Sequence, residues 1–315
     1  MPVERRAGLK AMWSRCSGLL MLQARWPLAL LLALVPLAGV FAAPDISSVK
    51  PDLHVPEVEP GEPTAGKRVK QTHPQWADTE AHHLLYLPRD WKKGGTYPVI
   101  VEYAGNGPYR NKHGDRSTGQ PEGSRMGYGL TAGQRYIWLC LPYLSGDGRS
   151  NVRQWWGDRP TYAPANTLAY AKTVVPWVCE QYGGDPDKVF LCGFSRGAIA
   201  CNFIGLHDDE VARLWCAFLP YSHYDGVRRW AYPGSDRDSA RKRLARLDGR
   251  PQFITHENDG VEATRAWILS MGMEGDFTFR ATGFRNHNDA WLLRPSPVRK
   301  EMRAWMRRIA ERPGG

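Results

Sequence analysis

The sequence predicts an α/β domain in which a mostly parallel sheet is covered by helices on both faces. Strand-like and helix-like patterns alternate between residues 83 and 310, and such alternation is typical of parallel sheets. Residues 79–315 are numerous enough to bury one sizeable core. A strand-like run also turns directly into a helix-like run through Gly193-Phe-Ser-Arg-Gly197.

The individual elements follow from hydrophobic periodicity. Apolar runs predict strands at 83–87, 98–103, 136–141, 189–192, 214–219, 252–255 and 277–282. Helical spacing predicts helices at 166–182, 196–206, 236–247, 261–271 and 298–310. Long loops should leave the carboxyl ends of three strands, where α/β sheets build their sites. These loops are residues 104–134, 142–165 and 220–235.

The first 78 residues are expected to lie outside this domain. Basic residues precede an uncharged run at 27–43 that ends in small residues. This pattern predicts an export signal over residues 1–42, cut near Ala42, with an uncleaved anchor as the alternative. The protein would then be secreted or periplasmic, without stable membrane insertion after cleavage. Residues 43–78 are rich in proline and charge, which predicts a linker or extended arm.

Composition limits the partners and cofactors. Removal of residues 1–42 takes away five basic residues and one acidic residue, so the net charge falls from +10 to +6. Such a mild excess in an exported protein does not by itself indicate a nucleic-acid partner, and none is expected. The five remaining cysteines lie in apolar runs. They predict buried thiols, although an oxidising compartment would permit one or two disulfides, and we expect no metal and no cofactor.

Ser195 is the expected nucleophile. It stands in the pattern Gly-x-Ser-x-Gly, at the point where a strand turns into a helix. Glycines two residues to either side let the chain fold back closely around a strained serine backbone. A serine hydroxyl needs an imidazole to take its proton, and the imidazole needs a carboxylate to fix its tautomer.

The acid and then the histidine should follow the serine along the chain. His287 follows the last predicted strand and is the expected base. Asp259, 28 residues earlier, lies at a turn just beyond a predicted strand and is the expected acid. Glu257 and Glu262 are nearby rivals. Asp225, beyond the preceding strand, is the main alternative.

Backbone donors are needed for the negative oxygen that forms when an ester carbonyl is attacked. One should be the N–H of Arg196, at the positive end of the helix after the nucleophile. The other should come from the loop Ala104-Gly105-Asn106-Gly107, where glycines allow close approach; a merely flexible turn is the alternative.

Aromatic residues in the predicted loops are candidates for substrate contact. Trp155 and Trp156 lie in a stretch rich in glycine and arginine. Aromatic platforms at the mouth of a site suit sugar rings or aryl esters. Both tryptophans are candidate substrate contacts, and local loop packing is an alternative of at least equal weight. His223 could also touch the substrate.

Ser195, Asp259 and His287 in this order, with Asp185-Pro-Asp-Lys-Val leading into the elbow strand, resemble the α/β-hydrolase superfamily. Within it, the layout is similar to esterases grouped around polyhydroxybutyrate depolymerases, feruloyl esterases and acetylxylan esterases, and to the prolyl-oligopeptidase catalytic domain. The likeness covers about residues 80–310, and its specific part is confined to three motifs.

Two positions refine this resemblance. Many members carry His-Gly where this chain has Ala104-Gly105-Asn106, which leaves the second oxyanion donor open. Arg196 resembles an arginine that assists oxyanion binding in glucuronoyl esterases, and a structural salt bridge is the equal alternative.

The resemblance implies an α/β-hydrolase fold and an exported serine hydrolase that cleaves carboxylic esters through an acyl-enzyme. The implied substrate is a small-molecule or polysaccharide-linked ester. A serine peptidase of the prolyl-oligopeptidase kind is the second hypothesis, although the chain lacks room for a propeller. A hydrolase-fold binding module without catalysis is the third.

Overall fold

The structure is a computed structural model that describes residues 43–273 and 275–312. The predicted export signal at residues 1–42 lies outside this described part. Within it, no helix has both the length and the apolar character needed to cross a membrane.

The described residues form eleven strands, nine of which build the central sheet. The strands are β1 (Val58–Glu59), β2 (Arg68–Gln71), β3 (His83–Tyr86), β4 (Tyr97–Tyr103), β5 (Tyr109–Arg110), β6 (Arg116–Ser117), β7 (Ile137–Leu141), β8 (Gly184–Phe194), β9 (Ala217–Tyr221), β10 (Gln252–His256) and β11 (Phe277–Ala281). The sheet order is β1-β2-β3-β7-β4-β8-β9-β10-β11. From β7 to β11 all neighbours are parallel, whereas β3 is antiparallel to both of its neighbours. β5 and β6 form a separate antiparallel hairpin.

Helices cover both faces of this sheet. The described α-helices are α1 (Met126–Thr131), α2 (Ala165–Tyr182), α3 (Arg196–Phe203), α4 (Asp209–Ala212), α5 (Arg237–Leu244), α6 (Val261–Ser270) and α7 (Pro297–Ala310). Short 3-10 helices occur at Ile46–Ser48, Pro74–Trp76, Pro121–Gly123, Ala245–Leu247 and Asp289–Leu293. Side chains of β8 alternate between two cores: Val189 and Leu191 pack with α2, α3, α5 and α6, and Phe190 and Cys192 pack with α1 and α7. The predicted α/β class with a mostly parallel sheet is therefore confirmed.

The predicted loop at 104–134 contains more structure than its sequence suggests. It holds the β5–β6 hairpin and α1, whose two glycines give it a poor helical propensity. The helix is held by Glu102, a buried carboxylate at the end of β4. This carboxylate accepts the N–H groups of Arg125, Met126 and Gly127 at distances of 2.8 to 3.1 Å. Hydrogen bonds to a carboxylate outside the helix thus compensate for the low helical propensity of α1.

Residues 43–78 do not form the predicted linker. β1 and β2 extend the sheet next to β3, and Val69 is completely buried. Asp52 binds the guanidinium of Arg299 in α7 at 2.6 Å. The composition was misleading because backbone pairing and ion pairs anchor this segment with few apolar side chains.

The cysteines behave as packing groups. Cys140, Cys179, Cys192 and Cys201 are buried, Cys216 is half-buried, and all five are free thiols. Burial raises the pKa of each of them. They are therefore protonated at neutral pH and unreactive.

Candidate active site

Ser195 occupies a sharp turn between β8 and α3. Its backbone has φ +56° and ψ −112°, a conformation that costs free energy for any residue with a side chain. A Cβ atom on Gly193 would overlap the backbone of Gly197, and one on Gly197 would overlap the carbonyl of Tyr103. The turn is fixed by the N–H of Ser195, which donates to the carbonyl of Tyr221 in β9 at 2.9 Å. The two glycines are thus a steric requirement of the elbow.

His287 reaches Ser195 from the loop that follows β11. Its Nε2 lies 3.1 Å from Ser195 Oγ, and its Nδ1 lies 2.8 Å from Glu257 Oε1. With the hydrogen on Nδ1, donated to the carboxylate, Nε2 is free to accept the serine proton. The three side chains have the geometry of a nucleophile, a base and an orienting acid.

The predicted pairing of Asp259 with His287 is wrong, because Glu257 takes that place. Asp259 is exposed, two residues further along the turn. β10 ends at His256, so residue 257 is the first to leave the sheet edge, and the longer glutamate side chain spans the distance to the imidazole. The alternative Asp225 is buried and binds Arg243 through two hydrogen bonds of 2.8 and 3.1 Å.

The surroundings of Glu257 favour its charged form. Burial alone would raise its pKa, but the hydrogen bond from His287 and the charges of His287 and His256 lower the pKa to about 2. Ser222 adds a contact that sequence reasoning missed. Its Oγ donates to Glu257 Oε1 at 3.1 Å and lies 2.8 Å from His287 Nδ1. Ser222 has φ +86°, which is unusual for a residue with a side chain. No sequence pattern predicts this conformation.

Backbone N–H groups with no acceptor lie on two sides of Ser195. In the described chain, the N–H of Arg196 at the start of α3 has no hydrogen-bond acceptor, and neither have those of Gly105 and Asn106 after β4. Gly107 is excluded as a donor because its N–H binds the carbonyl of Arg153 at 2.8 Å. A Cβ on Gly105 would come within 2.9 Å of the Phe194 ring, so this approach of β4 to the elbow requires glycine.

The Arg196 side chain binds backbone carbonyls. It is 1% exposed and pairs with no carboxylate of the described residues, so the alternative of a salt bridge among them is excluded. Its guanidinium donates to the carbonyls of Ala104, Gly105, Gly119 and Trp155. It also stacks on the Tyr143 ring at 3.7 Å. Burial lowers its pKa to about 10, so it remains charged at neutral pH and binds three loops together.

A cavity of about 200 Å³ opens at Ser195. Its walls are largely aromatic and carry no carboxylate from the described residues. They include Asn106, Tyr109, Ser117, Trp155, Phe194, His223 and Trp230. Burial lowers the pKa of His223 to about 3, so this imidazole is neutral, and its ring centroid lies 5.1 Å from that of His287. Arg196 also lines the cavity, and its guanidinium binds backbone carbonyls.

The two predicted tryptophans have different positions. Trp155 lines the cavity, and its backbone N–H donates to Asn106 Oδ1 at 2.8 Å. Trp156 is completely buried and stacks on Phe203, with ring centroids 4.2 Å apart. The prediction of substrate contact is thus wrong for Trp156, which packs into the core behind Trp155.

Asp289 is a titratable group next to this site. It is buried two residues after His287, and burial raises its pKa from 3.8 to about 7, although the Arg125 guanidinium lies 3.6 Å away. The folded protein therefore binds more protons than the unfolded chain between these pH values, and stability falls as pH rises across them. We expect Asp289→Asn to change the melting temperature little at pH 4 and to raise it at pH 8, by the equivalent of about 1 to 4 kcal/mol.

The control variant, Asp52→Asn, is expected to change stability at pH 8 in the opposite direction. The hydrogen bond from Arg299 lowers the pKa of Asp52, so Asp52→Asn should destabilise the protein at pH 8 and lose its effect as the pH falls. Thermal unfolding of both variants and the wild type between pH 2 and pH 8 measures the difference, because the effect of Asp52 is lost only below pH 3.8. An Asp289→Asn variant less stable than the wild type at pH 8 contradicts the prediction.

Comparisons with known proteins identify the fold. No protein-family model matches the chain, and no curated protein matches its sequence. A fungal esterase structure from Rhizomucor miehei is similar with a TM-score of 0.50 and 10% identity, over 79% of this chain and 85% of that one. Acylaminoacyl peptidase from Pyrococcus horikoshii has a TM-score of 0.49 and 12% identity, over 79% of this chain and 42% of the peptidase. A thermostable esterase has a TM-score of 0.48 and 16% identity, over 76% of this chain and 62% of the esterase.

This chain therefore spans less than two thirds of the length of the last two proteins. The sheet is mostly parallel, and the serine elbow follows the carboxyl end of its central strand β8. This arrangement defines an α/β domain of the kind that carries a nucleophile at this position. Together with the likeness to the fungal esterase, it shows that the chain has the α/β-hydrolase fold.

Proposed function

We propose that the protein is an exported serine hydrolase that cleaves carboxylic esters through an acyl-enzyme. The carrying observation is the hydrogen-bonded series Ser195, His287 and Glu257 at the open end of a cavity. Secretion or a periplasmic location rests on the predicted signal at residues 1–42.

The reaction follows from these positions. Ser195 Oγ attacks the ester carbonyl carbon while His287 Nε2 takes its proton. The N–H of Arg196, with that of Gly105 or Asn106, stabilises the oxygen that becomes negative. Collapse of this intermediate expels the alcohol, which receives the proton from His287. A water molecule, deprotonated by His287, then attacks the acyl-enzyme and releases the carboxylic acid and Ser195.

The cavity supports an ester more than a peptide with a free amino terminus. A peptidase that recognises a free amino terminus needs a carboxylate for the ammonium group, and the described residues place none at the cavity wall. Tyr109 is 37% exposed at the rim, whereas the Arg228 guanidinium covers one face of the half-buried Trp230, 4.5 Å from its ring centroid. Exposed aromatic faces suit sugar rings, so polysaccharide-linked esters and aryl esters are the proposed substrates.

The test is labelling with a fluorophosphonate probe, which reacts with activated serines. We expect the wild type to be labelled, Ser195→Ala to remain unlabelled, and both to have the same circular dichroism spectrum. Ser239→Ala is the matched control, because Ser239 only hydrogen-bonds Asp236 at the start of α5. Folded wild type that resists the probe refutes the serine hydrolase.

Substrate class is tested separately on wild type that has not been treated with the probe, because the probe blocks Ser195 covalently. Feruloyl esters, acetylated sugars and short-chain p-nitrophenyl esters are compared with peptidyl p-nitroanilides. We expect higher kcat/KM for the esters. Faster cleavage of the anilides would instead support the peptidase hypothesis, and labelling without turnover of either class would contradict the ester assignment.

A further inference from the structure

Asp115 lies in the turn of the β5–β6 hairpin, directly before β6, and hydrogen-bonds the loop that carries His287. It is 1% exposed and forms no ion pair with the described residues. Its Oδ1 accepts hydrogen bonds from the side-chain amides of Asn286 at 3.0 Å and Asn288 at 3.2 Å. Its Oδ2 accepts the backbone N–H of His287 at 3.1 Å and the Asn111 amide at 2.8 Å. One carboxylate thus binds three consecutive residues centred on His287.

This arrangement requires a carboxylate. An ionised carboxylate is acceptor-only and can receive about four hydrogen bonds, whereas an amide replaces two of these acceptor sites with donors. In Asp115→Asn, an NH₂ group would face either the two asparagine amides or the His287 N–H. Buried donors would then lack partners, which is unfavourable.

The N-terminal segment at residues 44–46 holds the same loop from another side. The carbonyl of Pro44 accepts the N–H of Arg285 at 3.1 Å. The Asp45 carboxylate binds the Arg285 guanidinium at 3.0 Å and the Asn286 amide at 3.3 Å. Asn286 Oδ1 accepts the N–H of Ile46 at 2.8 Å. Asn286 is itself 1% exposed, so it links Asp45 on one side to Asp115 on the other.

We propose that Asp115 is a positioning residue for His287 and that the segment at 44–46 completes this support through Asn286. The inference rests on the proposed function, because it gives His287 the role of base. Asp115 and Asp45 do not line the cavity. They act by fixing the backbone of His287, which determines the 3.1 Å approach of Nε2 to Ser195 Oγ. Misplacing a reacting group by about 1 Å can cost about 100-fold in rate.

The experiment compares Asp115→Asn and Asp45→Ala with the wild type in the full chain. We expect Asp115→Asn to lower kcat by about 10- to 100-fold with KM changed less than about threefold, and to slow fluorophosphonate labelling by the same factor as kcat. For Asp45→Ala, with its more exposed carboxylate, we expect a fall in kcat of about 2- to 10-fold. Asp52→Asn is the control. It removes an ion pair with Arg299 a few residues after the segment at 44–46, and the Asp52 side chain does not contact the His287 loop.

A general loss of stability would lower the melting temperature of all three variants. At a temperature where each variant is folded, however, it would not lower kcat while leaving KM unchanged. Asp115→Asn with unchanged kcat and labelling overturns the inference, as does an equal loss of kcat in Asp52→Asn. If Asp115→Asn does not fold, Asp45→Ala decides, and unchanged kcat in it overturns the inference. Folded wild type without labelling or turnover refutes the proposed function, and the inference then falls with it.

Discussion

Replacing Glu257 with glutamine is expected to lower kcat by about 10³- to 10⁴-fold while the protein stays folded. The glutamine amide can donate to His287 Nδ1, which favours the tautomer with its hydrogen on Nε2. That tautomer cannot accept the proton of Ser195. The glutamine also lacks the negative charge that stabilises the imidazolium formed during attack. Steady-state kinetics on the best ester substrate measures the loss.

Asp259→Asn is the matched control for this prediction. It makes the same change of carboxylate to amide two residues away, on an exposed side chain without a hydrogen bond to His287 in the described structure. We expect kcat within about twofold of the wild-type value, in line with the small effects of surface substitutions. If Asp259→Asn loses activity and Glu257→Gln retains it, the assignment of the acid to Glu257 is refuted.

Replacing Arg196 with glutamine is expected to destabilise the protein by about 3 to 5 kcal/mol and to lower kcat by about 10²- to 10³-fold. The guanidinium is the donor shared by four buried carbonyls of three loops. Without it, the carbonyls of Gly105, Gly119 and Trp155 have no donor in the described structure, whereas that of Ala104 still accepts the Tyr143 hydroxyl at 3.2 Å. The backbone at 104–106 is then no longer held against the elbow. The kinetic loss follows because the N–H groups of Gly105 and Asn106 belong to this backbone.

Two further variants separate charge from geometry at this position. Arg196→Lys keeps the charge but lacks the planar fork, so it should recover only part of the stability. Arg246→Gln removes a half-buried arginine that pairs with the exposed Asp209 at the surface; surface pairs are worth about 0 to 1 kcal/mol, and kcat should not change. Urea unfolding and kcat are measured for all three variants. An Arg196→Gln variant as stable and as active as Arg246→Gln would contradict the scaffold role of Arg196.

The sequence predicted those features that depend on local sterics and chain order. The elbow at Ser195 could be located because only glycine fits at 193 and 197, and the fold class followed from the strand and helix alternation. The position of His287 beside Ser195 followed from its place after the last strand. These requirements are visible within short stretches of sequence.

Other features depend on contacts that short stretches do not show. Glu257 and Asp259 both lie in the turn after β10, and only the path of that turn shows which carboxylate reaches His287. The end of a strand is among the least certain features of a prediction from sequence. The role of Asp115 depends on partners about 170 residues away. Trp155 and Trp156 are neighbours in one loop, but Trp155 lines the cavity and Trp156 lies in the core. The positive φ of Trp155 and the packing of Trp156 on Phe203 account for this difference.

The hydrogen bonds between residues 44–46 and the His287 loop join parts of the chain that are 240 residues apart. Loop-closure entropy opposes such contacts until the intervening chain is ordered, so we expect them to form late in folding. β8 and β9, which are close in sequence, can pair before the first and last segments of the domain meet. Catalytic activity recovered during refolding would then follow the completion of the whole domain, whereas helical content and tryptophan burial would follow earlier steps.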